Sequence, residues 1–124
     1  VPGDDFYSYE DKYLADGSYA VIPAPIGDDA LATAKELAIE TYRALRCEGL
    51  SRVDFFWEDP ATEINGKPGR GFLLNEVNTM PGFTPISMFP KMWIADGVSY
   101  PEIIDRLVDL ALERHSRRRR NTAH

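Results

Sequence analysis

Two strand-patterned segments on either side of a turn-rich loop constrain this chain more than any other feature. Residues 51–57 read SRVDFFW and residues 71–78 read GFLLNEVN. At a side-chain period of two, Arg52, Asp54 and Phe56 share one face of the first segment. Phe72, Leu74, Glu76 and Asn78 share one face of the second, directly before the Pro81-Gly82 turn. The connection over 58–70 is short, so the strands are expected to pair antiparallel and bring Asp54 towards Glu76 and Asn78. Two carboxylates and an amide oxygen suit a hard divalent cation such as Mg²⁺, which takes few protein oxygens and fills its shell with water and phosphate. Arg52 would then lie beside the anionic cluster, aimed at whatever the cation holds. Spacing alone leaves open that these acidic residues are simply the solvated face of a strand.

The rest of the chain supplies elements to flank that pair. Residues 1–18 mix Gly, Asp and Ser with Phe6, Tyr7, Tyr9 and Tyr13, which reads as an ordered loop. Residues 19–22 read as a short strand ended by Pro23-Ala24-Pro25. Asp28 or Asp29 is a good N-cap. The helix behind it carries Leu31, Ala34, Leu37, Ala38, Thr41 and Leu45 on one face, with Gly49 as its stop. Residues 85–93 read as a short helical or irregular segment. A last helix begins near Pro101, with Ile103, Ile104, Leu107, Leu110, Ala111 and Leu112 as its buried stripe. The order predicts an α+β fold, a small antiparallel sheet with flanking helices.

Composition removes several alternatives. A length of 124 residues fits one domain or less, with 44% apolar and 27% charged residues. No apolar run approaches the roughly 20 residues of a membrane span, and the opening Val1-Pro2-Gly3 has no signal-peptide pattern. One cysteine, Cys47, precludes an internal disulfide and fits a reducing cytoplasm, the expected location; it reads as a structural thiol. The net charge is −6, and all 20 acidic residues precede Ser116, so the body ahead of Arg117–Arg120 stands at −10. An acidic body argues against a nucleic-acid groove. The arginine run admits an RNA or membrane contact, but a disordered, solvated basic tail over 116–124 fits it better. Neither His115 nor His124 is given a role.

The segments SRVDFFW and LLNEVNTMPGFTPISM closely resemble the C-terminal catalytic segment of the D-alanine–D-alanine ligases, members of the ATP-grasp superfamily. The opening DDFYSYEDKYLADGS resembles the omega loop of the same family, and the likeness runs from Val1 to about Arg114. It implies that residues 1–115 are the C-terminal part of an ATP-grasp domain, with 1–18 as the omega loop. The nucleotide-binding and substrate regions would lie upstream, so this stretch would be inactive alone and would need the remaining N-terminal part of the same enzyme. The implied reaction joins two D-alanines at the expense of ATP through an acylphosphate, for peptidoglycan. The implied partners are ATP, D-alanine and a second copy in a homodimer, with neither nucleic acid nor membrane.

Site roles follow from the same resemblance. Asp54, Glu76 and Asn78 match ligands for two Mg²⁺ (or Mn²⁺) ions. Arg52 matches the arginine that steadies the acylphosphate and the tetrahedral species, and Gly82 the glycine whose backbone N–H helps form an oxyanion hole. Ser87 and Met88 match the cradle of the second D-alanine, with Ser87 bonded to the omega-loop Tyr13. Lys12, in the Glu10-Asp11-Lys12-Tyr13 match to E-x-K-Y, would reach the γ-phosphate when the loop closes. Phe6, Phe56 and Asn75 are further nucleotide contacts. Such a lid would keep water from the acylphosphate. A D-alanine–D-lactate ligase is the alternative activity, although a histidine tends to replace the omega-loop tyrosine in those relatives. A non-catalytic half-domain is the alternative of another class.

Overall fold

The computed structural model describes residues 20–122. Helix α1 spans Asp28–Ala44. Strand β1 (Arg52–Glu58) and strand β4 (Gly71–Asn78) form one sheet, and β2 (Glu63–Ile64) and β3 (Lys67–Pro68) form another. Helix α2 spans Met88–Ala95 and helix α3 Tyr100–Thr122. This is the α+β arrangement expected of the patterning.

Strands β1 and β4 pair antiparallel, Arg52 opposite Asn78, Val53 opposite Val77 and Asp54 opposite Glu76. The register then slips: Phe55 faces Leu74, Phe56 faces Leu73 and Trp57 faces Phe72, leaving Asn75 as the extra residue of a bulge. One residue of slip exchanges faces. Leu74 and Phe72 were expected beside Glu76; instead they join Phe55 and Trp57 on the opposite face, and Leu73 takes the place beside Phe56. Packing explains the exchange. Phe72 meets Phe55 edge-on at 5.8 Å and Trp57 at 4.3 Å, contacts worth about 0.5–1.5 kcal/mol each beyond area burial. An unbulged ladder would split that cluster.

Inside the 58–70 connection sits a hairpin, Glu63 opposite Pro68 and Ile64 opposite Lys67. Its two-residue turn is Asn65-Gly66, both at positive φ (53° and 74°), the backbone that matches strand twist in a tight hairpin. Arg70 closes the loop by forking onto Glu58, Nε donating at 2.8 Å and Nη2 at 2.5 Å.

Several expected boundaries move. Residues 20–22 are not in a strand: the described residues offer Val21 and Ile22 no partner, and Pro23 and Pro25 lack N–H donors. Gly27 is the N-cap of α1, without a side-chain cap bond, and Asp28 and Asp29 fall in the first turn, where they complement the helix dipole. The helix stops before Gly49. Arg46 takes a positive φ of 53°, donating to the Arg43 carbonyl while Cys47 donates to that of Tyr42, a Schellman closure. The same closure ends α2 with Gly97 (φ 90°) bonded to Ile94 and Val98 to Trp93.

Where a disordered tail was expected, α3 continues through the arginine run as far as Thr122. Arg114 and Arg117 both pair with Glu48, in the loop after α1. That double contact ties the helix to the segment leading into β1. The expected stripe of α3 is buried only in part: Ile103 is 4% exposed, but Ile104, Leu110 and Leu112 are 42%, 45% and 61% exposed.

The closest packing lies under the 81–87 loop. Pro81, Ser87, Phe89, Pro90 and Ile103 are the buried residues among those described. Phe83 stacks against Phe89 (5.8 Å) and Tyr100 (5.1 Å), and the Tyr100 hydroxyl donates to the Phe83 carbonyl at 2.6 Å. Truncating Phe89 to Ala would cost about 3–5 kcal/mol. This knot fixes the loop that follows the strand face bearing Asp54 and Glu76.

Candidate functional site

The site is built on one face of the β1–β4 ladder, where Arg52, Asp54, Phe56, Leu73, Glu76 and Asn78 stand together. Like charges directly opposite one another destabilise a ladder, and Asp54 opposite Glu76 is such a pair. Arg52 offsets it. Its Nε and Nη2 each donate to Asp54 at 2.8 Å, and Nη2 also donates to Glu76 Oε1 at 3.3 Å. The Arg52 and Asp54 side chains are 25% and 31% exposed and Glu76 is 56% exposed, so the pair is half-sheltered with one edge open. Among the described residues, one guanidinium against two carboxylates leaves a negative charge over.

Asn78 departs from the expected convergence. It shares the face, but its side-chain oxygen accepts from the Met80 N–H at 3.0 Å, a turn of its own that leads the chain towards Pro81. Among the described residues no group of three His, Cys, Asp or Glu side chains is placed to hold a metal. A cation here would rely on two carboxylates, the remaining lone pair of Asn78, water and phosphate. That sparse set of hard oxygens fits Mg²⁺.

The neighbouring residues differ in how closely the fold holds them. Phe56 is 60% exposed on the site face, so it is not the packing residue that a strand phenylalanine is by default. Asn75 is the bulge residue and exposed. Gly82 lies against Ser87: a Cβ at position 82 would come within 2.9 Å of the Ser87 Oγ. That Oγ accepts from the Thr84 N–H at 3.0 Å and lies 2.7 Å from the Thr84 hydroxyl. Ser87 begins α2 but does not cap it with its side chain; its hydroxyl is committed to the loop. Lys12, Tyr13 and Phe6 lie outside the described residues.

Met88 borders an open cleft of about 350 Å³ lined by Arg52, Val53, Asp54, Met88 and Met92. Met92 lies outside the strand-face pattern that marks Arg52 and Asp54, and its signal in the sequence is the i, i+4 spacing from Met88. A larger hollow of about 630 Å³ lies along the C-terminal half of α3 between Asp109 and Arg120. All of its lining comes from one helix, and none of the site-face residues contributes to it.

At the other end of the ladder, hydrogen bonds from the Arg70 side chain and then its backbone N–H hold the Glu58 carboxyl down to about 2. Burial, with Cys47 and Glu48 nearby, pushes the Tyr42 hydroxyl up; that hydroxyl donates to the Gly49 carbonyl at 2.9 Å.

A family model described as D-ala D-ala ligase C-terminus matches residues 1–109. The D-alanine–D-alanine ligase of Shouchella clausii is 47% identical over 118 residues, covering 94% of this chain and 30% of that protein. That of Corynebacterium urealyticum is 51% identical over 105 residues, covering 85% and 26%. The solved D-alanine–D-alanine ligase from Coxiella burnetii aligns with a TM-score of 0.67 at 36% identity, covering 80% of this chain and 26% of that one. The Bacillus anthracis ligase complexed with ATP aligns at 0.60 with 26% identity, covering 76% and 30%. The chain thus spans about 30% of the length of the curated relatives it matches.

Proposed function

The chain belongs to the D-alanine–D-alanine ligase C-terminal family, and on that footing we propose that it forms the catalytic end of an ATP-dependent ligase joining two D-alanines. The observation that most supports this is the Asp54–Glu76 opposition bridged by Arg52, a charge-deficient oxygen pair on an open strand face. In the reaction, a carboxylate oxygen of the first D-alanine attacks the γ-phosphorus of ATP, and the bond to the ADP oxygen breaks. The neutral amine of the second D-alanine attacks the acyl carbon of the resulting acylphosphate. Phosphate leaves as the amine gives up its proton, and the product serves peptidoglycan synthesis.

Each step builds negative charge, and prepositioned donors lower its cost. Arg52, held by Asp54 and Glu76, sets its fixed, delocalised positive charge beside the phosphoryl oxygens, where a lysine would be a mobile point charge. Asp54, Glu76 and Asn78 would hold Mg²⁺ or Mn²⁺. Two such ions, when bound, supply charge neutralisation for the phosphates. The Gly82 N–H donates to the developing oxyanion, and Ser87, locked by Thr84, fixes the acceptor. The Phe56 ring and Asn75 bear on the nucleotide, and Met88 on the second D-alanine. Lys12 and Tyr13 act from the closing loop with Phe6 near the nucleotide, and the enzyme works as a homodimer. A D-lactate-using ligase or a non-catalytic half-domain is less well supported, because the named relatives are D-alanine–D-alanine ligases. No described helix is long and apolar enough to cross a membrane.

The test uses the full-length ligase that carries this chain. ADP release and dipeptide formation are followed with and without D-alanine. The proposal requires both to depend on D-alanine; ADP release indifferent to it, with no dipeptide, would sink the reading.

A further inference from the structure

The cleft beside Arg52 and Asp54 has one chemically distinct wall. Met88 and Met92 stand one turn apart on α2 and line it together, facing Arg52, Val53 and Asp54. On the same helix Phe89 and Pro90 are buried, so α2 seats itself through those two residues and keeps both methionines for the cleft. Met92 is 38% exposed, open to whatever enters. The opposite wall is charged, Asp54 suiting an amine or a cation and the Arg52 guanidinium the carboxylate beside it. Two thioethers offer no N–H or O–H and no charge, so they meet the apolar part of a ligand. Methionine is also deformable, able to close over a small group without a preformed hole.

We infer that Met92 sets the size limit on the acceptor side chain, closing with Met88 an apolar pocket that takes a methyl group and resists anything longer. The inference rests on the ligase reading. It assigns to Met92 a specificity role, in contact with the acceptor's side chain and not with the reacting atoms. A short D-amino acid fits, with its amine and carboxylate turned to the charged wall and its side chain to the thioethers. Shortening Met92 enlarges the pocket from its α2 wall and leaves the β1 wall with Arg52 and Asp54 in place.

The experiment compares D-alanine with D-2-aminobutyrate and D-norvaline as acceptors, under competition, in the full-length ligase carrying Met92→Ala, Met92→Leu or Met92→Phe. One methylene in an apolar pocket discriminates by roughly 10–200-fold. Met92→Ala should therefore raise the use of D-2-aminobutyrate relative to D-alanine by about tenfold or more, and Met92→Leu, of similar volume, should restore the wild-type ratio. Met92→Phe should move the ratio the other way, and it carries the test if the alanine variant does not fold. Unchanged ratios in Met92→Ala and Met92→Phe, with dipeptide still formed, overturn the inference while leaving the ligase reading intact. A wild-type enzyme that forms no dipeptide overturns both.

Discussion

Both ends of the β1–β4 ladder carry an arginine forked onto a carboxylate, and the two differ in what remains after the charges are counted. At the Glu58 end, Arg70 meets one carboxylate with two side-chain bonds and its own N–H. The pair is balanced, and Arg70 is 68% exposed. At the Asp54 end, Arg52 reaches two carboxylates among the described residues and is 25% exposed. The first arrangement is complete and holds a loop shut. The second has, among the described residues, two carboxylates for one guanidinium, and Glu76 is 56% exposed, so it can recruit a cation from solvent. Charge balance, more than arginine–carboxylate geometry, separates a clasp from a site.

The largest expected effect tests that separation directly. Arg52→Ala should lower the kcat of the full-length ligase by on the order of 10²–10³-fold, as when a donor aimed at transition-state charge is removed. Arg70→Ala should leave kcat within about twofold, because an exposed ion pair contributes little. Steady-state ADP release measures both. Equal losses would erase the distinction between the two ends.

Metal affinity sharpens it. Glu76→Gln should weaken Mn²⁺ binding by about tenfold or more, since a carboxylate ligand of a hard cation becomes a neutral amide, whereas Glu58→Gln should leave it unchanged. Electron paramagnetic resonance of free Mn²⁺ reads this without turnover. Equal affinity in wild type and Glu76→Gln would remove the metal from this face.

A smaller effect concerns the loop behind the site. The Cβ of Gly82→Ala would come within 2.9 Å of the Ser87 Oγ, which is buried and bonded to Thr84 and so cannot swing away cheaply. The expected loss is about 1–3 kcal/mol of stability. Because the two residues touch, Gly82→Ala with Ser87→Ala should cost less than the sum of the single changes. Strict additivity in denaturant titrations would mean that the loop relaxes independently of Ser87.

The smallest effect lies at the clasp. Glu58 is depressed from 4.5 to about 2 in the folded chain. Its contribution is therefore fully present above pH 4.5 and is lost as pH falls towards 2. Hydrogen exchange at the Arg70 amide should accelerate, relative to the intrinsic rate, across that acidic window in wild type and stay flat in Glu58→Gln. Salt should shrink the difference. Identical profiles would show that the ladder end holds without the pair.

The legible parts were those with a local cause. Period-two patterning placed Asp54, Glu76, Asn78 and Arg52 on one face, and the short connection selected antiparallel pairing. The helical face of α1 was readable from spacing: Leu31, Ala34, Leu37, Ala38 and Thr41 are half-buried, joined by Ala30 and Tyr42. Leu45, expected on the same face, lies past the helix end and is 59% exposed. Asn65-Gly66, a pair that favours positive φ, is a local signal for the hairpin within the turn-rich loop. Cap positions were less legible, because Asp28 and Arg46 each suit more than one place at a helix end.

Local chemistry thus settled which residue types face one another and that a helix, two strands and further helices would follow in order. Three features needed tertiary contacts. The bulge at Asn75 exists because Phe72 packs between Phe55 and Trp57, and no periodicity within one strand contains that cross-strand preference. The arginine run stays helical where Glu48, from a loop more than sixty residues earlier, meets Arg114 and Arg117. The direct Asp54–Glu76 opposition depends on register, and register is a property of the pair of strands. A side chain's face is inherited from its own neighbours along the chain, but its partner is chosen by what the whole ladder can pack.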